Sequence, residues 1–248
     1  MRTPFIAGNW KMHKTPSETR AFFERFREIH APREDRSMIF FPPALSFAAA
    51  REARGDRTDL RLGVQDIHWK AEGAFTGAVS APMAVDAGAD FTLVGHSERR
   101  HVFGETDDET GKKVRAAFDA GFVPVLCVGE KLDERKAGRV DEVVLRQLDE
   151  GTRDLDAGML ARMLIAYEPV WAIGTGETAT PEDAADAHGT IRERLGERLD
   201  DPGDVPILYG GSVKPHNAAE LLAADDVDGV LVGGASLDPE AFARIAAA

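Results

Sequence analysis

The 248-residue sequence holds a single cysteine, Cys127, so no disulfide can form within the chain. It holds no apolar run near the ~18 residues that a membrane span needs. Its first residues, MRTPFIAGNWKMHK, lack both a long apolar core and a small-residue cleavage pattern, and do not read as a signal peptide. A cytoplasmic location is the default expectation. Basic residues are in deficit: 30 Lys and Arg face 43 Asp and Glu, for a formal net charge of −13. That balance argues against nucleic acid as a partner, because a phosphate backbone needs a basic face. It argues equally against a polybasic membrane patch. An anionic substrate would be weakly repelled at long range, so a phosphate site must be built from local dipoles. Cys and His are not clustered in a metal-ligand spacing. Low-complexity tracts and sequence repeats are also missing.

What is present is an alternation. Short apolar runs recur at 4–10, 38–42, 60–65, 91–96, 122–129, 163–169, 205–211 and 228–234. They are continuous rather than alternating with polar residues, as in parallel strands covered on both faces. Val, Ile and Phe dominate them, which favours strand over helix at this length. Helix signals fill the intervals. Ser17 leads a segment whose Phe22, Phe23 and Phe26 share a face. Thr106 precedes three acids, with Gly121 closing the pattern. Thr180-Pro181 and Asp238-Pro239 each pair a cap with a proline at the first helical position. Residues 138–151 are amphipathic. Eight strand–helix repeats call for parallel βαβ units. An open doubly wound sheet fits the pattern too. Eight repeats with no linker or composition break favour a closed (β/α)8 barrel, one domain over 1–248.

In such a barrel, chemistry collects at the C-terminal ends of the strands. Asn9 and Lys11 stand at the end of the first run, His96 and Glu98 at the fourth, and Glu168 at the sixth. The seventh ends in Gly210-Gly211-Ser212 and the eighth in Gly233-Gly234. Each has a plain alternative: a solvated lysine, a histidine that caps a helix, a glutamate in a structural ion pair, glycines in ordinary turns. Their convergence on one rim is what raises them above it. Glycine turns after the last two strands let backbone N–H groups face an oxyanion, a recurrent phosphate site in barrels.

The segments Gly8–Met12, Gly73–Gly77, Gly95–Arg100, Cys127–Glu130, Ala166–Gly176 and Tyr209–Val213 resemble the triosephosphate isomerase family, in that family's order and from near residue 4 to the last helix. AYEPVWAIGTG is the most specific of them. The resemblance implies a TIM barrel that interconverts dihydroxyacetone phosphate and D-glyceraldehyde 3-phosphate without metal or other cofactor. It implies Glu168 as the base, neutral His96 polarising the carbonyl, and Lys11 supplying positive charge. Asn9 would hold the substrate oxygen. Backbone N–H groups of Gly174, Ser212, Gly233 and Gly234 would hold the phosphate, and residues 169–176 would form a lid. It further implies a homodimer through the loop carrying Phe75 and Thr76. The bare alternative is that Phe75 folds back on its own barrel. Two departures from the family pattern stand out: Asp66 where Asn is usual, and Ala78 where Glu is usual. Other phosphate-binding barrels fit less well. A metal-dependent epimerase wants His and Asp ligands at several strand ends. A Schiff-base aldolase wants a lysine where Glu168 stands. A catalytically silent barrel would have lost the base, the histidine or the lysine.

Overall fold

Each apolar run holds all or nearly all of a strand in the computed structural model, which describes residues 3–173 and 179–248. The strands are β1 (Phe5–Asn9), β2 (Ser37–Phe41), β3 (Leu60–Val64), β4 (Phe91–Val94), β5 (Val123–Val128), β6 (Leu164–Tyr167), β7 (Ile207–Tyr209) and β8 (Gly229–Val232). Each pairs in parallel with the next, and β8 pairs with β1, so the sheet closes into a barrel. Closure leaves no strand edge unpaired.

The strands bury both faces, which explains their continuous apolar character. One set of side chains, including Ala7, Ile39, Phe41, Phe91, Leu93, Val125, Cys127, Ala166 and Leu208, packs only with other strand residues and fills the barrel. The alternate set, including Ile6, Met38, Phe40, Leu62 and Ile165, packs against the surrounding helices. Gly63 makes the interior fit: a Cβ there would stand 2.3 Å from the ring of Phe41. Outside β1 and β2, Phe22, Phe23 and Phe26 of helix Pro16–Ile29 meet Trp10, Phe40 and Phe242. Burying each such ring is worth about 1.5–3 kcal/mol.

One helix start differs from the sequence expectation. Thr15, not Ser17, caps helix Pro16–Ile29: its side chain accepts from Glu18 N–H, and Glu18 reaches back to Thr15 N–H. Pro16 then takes the first helical position, where a missing N–H costs nothing. Helices Asp107–Ala120 and Pro181–Gly196 begin with the same reciprocal cap, at Thr106 and Thr180. Gly121, with φ +85°, ends the first of these as expected.

Candidate active site

Residues from the ends of β1, β4, β6, β7 and β8 converge on one cavity of about 510 Å³. Asn9, Lys11, His96, Glu168, Ser212, Gly233 and Gly234 all line it. Gly174, expected to join them, lies outside the described residues. Phe75 and Thr76 stand elsewhere, in the loop after β3.

The first strand delivers a cation under constraint. Lys11 has φ +52°, a region that L-residues adopt at a cost. Two bonds hold it there: its N–H donates to Asn9 Oδ1 at 3.0 Å, and Gln65 Nε2 donates to its carbonyl at 2.8 Å. The ammonium lies 2.6 Å from Glu98 Oε1. Glu98 thus has a concrete place here, as the counter-ion that orients Lys11.

His96 sits at the N-cap of the short helix Ser97–His101, and its Nδ1 accepts from Glu98 N–H at 3.2 Å. The ring's other nitrogen, Nε2, is 2.9 Å from Glu168 Oε1. The second carboxylate oxygen of Glu168 accepts from Ser97 N–H at 2.8 Å. Both side chains are nearly excluded from water, His96 at 5% exposure and Glu168 at 2%.

Electrostatics couple the two. Burial opposes ionisation of Glu168, but His96, the Ser97 N–H and Lys11 outweigh it and hold the carboxyl below its ordinary range. Burial likewise lowers the His96 pKa, and the Glu168 carboxylate overrides it and draws the ring upward. The bond into Nδ1 fixes the tautomer: a neutral ring carries its proton on Nε2. Among the described residues Glu168 has no arginine in contact, so the structural ion pair considered above does not form with one of them.

Close backbone approach gives the base its position. Glu168 N–H donates to Val128 O at 2.7 Å, and a Cβ on Gly129 would fall 1.8 Å from Glu168 O. A Cβ on Gly210 would press on Glu168 Cγ at 2.9 Å. After β8, Gly233 leads into a single 3-10 turn, Gly234–Leu237. A Cβ on Gly234 would meet nothing within 4 Å, so its backbone faces open space. These backbone roles, with those of Ser97 and Gln65, were invisible in residue types. Only the family segments that contain Gly129, Ser97 and Gly210 hinted at them.

At the start of the 169–176 segment, Trp171 Nε1 donates to Glu130 Oε1 at 2.8 Å and Val170 N–H to Glu130 O at 3.1 Å. Glu130 is fully buried and also accepts from Tyr167 Oη at 3.0 Å. Among the described residues, no group of three or more His, Cys, Asp or Glu is arranged to hold a metal ion, and no helix is long and apolar enough to cross a membrane.

A family model described as triosephosphate isomerase matches residues 4–248. A triosephosphate isomerase from Solibacter usitatus (strain Ellin6076) is 50% identical over 250 residues, covering 99% of each chain. One from Roseiflexus sp. (strain RS-1) is 48% identical over 248 residues, 99% of this chain and 97% of the relative. One from Moorella thermoacetica (strain ATCC 39073 / JCM 9320) is 47% identical, covering 99% and 98%.

Proposed function

Because the chain belongs to the triosephosphate isomerase family, we propose that Glu168, His96, Lys11 and Asn9 carry out its proton transfer. The reaction is the interconversion of dihydroxyacetone phosphate and D-glyceraldehyde 3-phosphate, an aldose–ketose isomerisation of glycolysis and gluconeogenesis. The observation that carries the assignment of roles is the 2.9 Å contact between His96 Nε2 and Glu168 Oε1, beside a lysine and two glycine turns.

A carbon acid next to a carbonyl is weak, so its proton leaves only for a placed base with the oxyanion stabilised. Glu168 trades its bonds to His96 and Ser97 for the substrate C–H and takes that proton. His96 Nε2–H, released from Glu168, donates to the carbonyl oxygen, and Lys11 adds positive charge. Asn9 holds the substrate oxygen and, through Oδ1, keeps Lys11 in its unusual conformation. The enediolate then regains the proton from Glu168 at the neighbouring carbon. Loss of the Glu168–His96 contact also removes the pull that lowers the carboxyl pKa, which makes Glu168 a stronger base when it is needed.

Backbone N–H groups of Ser212, Gly233, Gly234 and Gly174 hold the phosphate. This suits a chain of net charge −13, since backbone dipoles need no basic surface. Residues 169–176 serve as a lid that keeps water from the enediolate; of these, 174–176 lie outside the described residues. No metal or organic cofactor enters the scheme.

Residues 1–248 act as one catalytic domain, assembled as a cytoplasmic homodimer. Support for the dimer lies in the loops after β1 to β4, which expose Met12, Leu45, Phe75, Val102 and Phe103. Phe75 stacks on His68 of its own chain, with ring centroids 3.9 Å apart, yet stays 44% exposed. The loop thus folds partly on itself and still presents an aromatic face. Thr76 beside it reaches the Asn9 and His96 of a second copy. A coupled isomerase assay with and without chelator tests the activity and its independence of metal.

A further inference from the structure

Two consecutive side chains after β3 face opposite ways. Gln65 Nε2 donates to the carbonyls of Lys11 at 2.8 Å and Phe41 at 2.9 Å, at the ends of β1 and β2. Asp66 turns instead toward helix Asp107–Ala120, where Lys113 Nζ lies 2.6 Å from its Oδ1. Arg99 Nη2, on the helix Ser97–His101, is 3.2 Å from its Oδ2. Neighbours on an extended chain project to opposite sides, so an anchor on one sets the reach of the other.

The anchor is firm. The Lys113 side chain is only 4% exposed, and its ammonium is shared between Asp66 and Glu105 Oε2, the latter at 2.5 Å. A buried ammonium stays charged only with close, well-placed partners. Glu105 in turn accepts from the N–H of Gly95 at 3.1 Å, the residue before His96. Lys113 therefore joins the end of β3, which holds Lys11, to the end of β4, which carries His96. Asp66, Arg99, Glu105 and Lys113 line a recess of their own, and none of them lines the catalytic cavity.

Lys11 needs support of this kind. Its φ of +52° persists only while its surroundings hold it, and the Gln65 bond is one of the two that do. A β3 end free to shift would slacken that bond and let the ammonium leave its place.

We propose that Asp66 is a positioning residue for Lys11: its tie to Lys113 fixes the end of β3, so that Gln65 keeps the Lys11 backbone in its left-handed turn and the ammonium in the cavity. The proposal rests on the triose phosphate reading above. Asp66 acts through Gln65 and touches no substrate. An ion pair that served stability alone would leave Lys11 indifferent to its loss.

The test compares Asp66→Leu, which keeps the size of the side chain and removes its acceptors, with Asp66→Asn, which keeps one acceptor for Lys113. Lys113 and Arg99 retain Glu105 at 2.5 and 3.4 Å, so neither cation is stranded in these variants. In Asp66→Leu kcat falls about 10-fold, as slight misplacement of a catalytic group produces, and Asp66→Asn stays within about 2-fold of wild type. Gln65→Met brings the same loss, and Asp66→Leu/Gln65→Met is no slower than Gln65→Met alone, because both changes act on one contact. Hydrogen exchange of the Lys11 amide, bonded to Asn9 Oδ1, quickens alike in Asp66→Leu and Gln65→Met. Light scattering finds the wild-type mass in every variant. Should leucine prevent folding, Asp66→Ala, which adds no bulk, is read in the same way. The proposal is overturned by losses that multiply in the double variant, by an Asp66→Leu enzyme as fast as wild type, by unchanged exchange at Lys11, or by a loss of activity that follows a fall in mass. Because exchange is read without turnover, it judges Asp66 even if wild-type protein failed to isomerise the triose phosphates, an outcome that would count against the functional reading instead.

Discussion

His96 Nε2 and Glu168 Oε1 are 2.9 Å apart, in a pocket wall where both side chains are almost wholly buried. Each is therefore the other's partner before any reaction begins. The carboxylate is held ionised, and the neutral imidazole is held with its Nε2–H donated to Glu168. In the proposed mechanism that contact breaks when substrate enters, leaving Glu168 as base and His96 as electrophile.

Removing basicity while keeping shape tests the first role. Glu168→Gln preserves the size of the side chain and its contact with Ser97 N–H. General-base catalysis contributes roughly 10²–10⁴-fold, so kcat is expected to drop by at least about that much. KM is expected to change less, because the proposed phosphate cradle lies on other loops. Steady-state kinetics decide: near-native turnover in this variant takes Glu168 out of the mechanism.

The second role depends on a tautomer. Nδ1 of His96 accepts from Glu98 N–H, so the neutral ring must be protonated at Nε2. Nitrogen-15 NMR of histidine-labelled protein at pH 8.5 is expected to show a pyridine-like Nδ1 and a protonated Nε2. A ring protonated on Nδ1 alone has no proton to offer the substrate, and finding it would falsify the assignment.

Glycine substitutions distinguish holding phosphate from holding the fold. At Gly234 an added methyl meets no protein atom within 4 Å. Gly234→Ala is expected to melt within a degree or so of wild type. Its methyl intrudes on the approach to the N–H groups, and losing about one charge-assisted hydrogen bond raises KM about 10-fold or more. Gly211→Ala has the opposite profile. Its Cβ would fall 2.1 Å from Tyr209 Oη, so the buried ring must shift at a cost of about 1–3 kcal/mol. Calorimetry beside kinetics separates the two; a Gly234→Ala enzyme with unchanged KM removes that turn from the phosphate site.

How much of this was legible beforehand follows from where the information resides. The strands could be read because burial on both faces forces continuous apolar runs, as in Leu164–Tyr167. Glu168, His96 and Lys11 could be read because side chains at strand ends meet once a barrel is assumed. The grip of Gln65 on Lys11 spans 54 positions and ends on a backbone carbonyl, so no local pattern carries it. The same holds for the Ser97 N–H on Glu168. The Thr15 cap was misjudged because Ser17 and Thr15 are both capable residues. Glu18, three positions after Thr15, was the deciding signal.

Stability should depend on pH through a residue far from catalysis. His188 is fully buried, with Nδ1 3.0 Å from Asp226 O, beside Asp228 and Arg192. Burial pulls its pKa down to about 4, the Asp226 carbonyl opposing only in part. Below the ordinary value of about 6.5, the unfolded chain takes up a proton that the fold refuses. The contribution of His188 is thus intact above pH 6.5 and is lost as pH falls toward 4. Between pH 7 and 5 the loss is about 2 kcal/mol. Urea unfolding at both values and one protein concentration should show that His188→Gln loses less stability on acidification than wild type. Equal losses in the two proteins exclude His188 as the source.

Assembly gives the last test. Gly73, at φ +140°, and Gly77, at φ +89°, bracket Phe75 and Thr76. The turn between them is closed by Phe75 N–H to Gly73 O at 2.9 Å and Ala78 N–H to Phe75 O at 3.0 Å. The loop therefore keeps its shape by its own bonds, which would lower the entropy cost of the proposed insertion into a second subunit. Ala78, where the family usually carries Glu, places no carboxylate directly after Gly77. A rim charge is worth about 0–1 kcal/mol, so the dimer is expected to survive its absence. Thr76→Arg places a long cation at the proposed point of insertion. Light scattering should find wild type dimeric at micromolar concentration and Thr76→Arg monomeric, folded and much less active. The loss of activity follows from support withdrawn from Asn9 and His96, since each barrel keeps its own catalytic set. A wild-type monomer with full activity excludes the dimer, and a dimeric, fully active Thr76→Arg moves the contact to another surface.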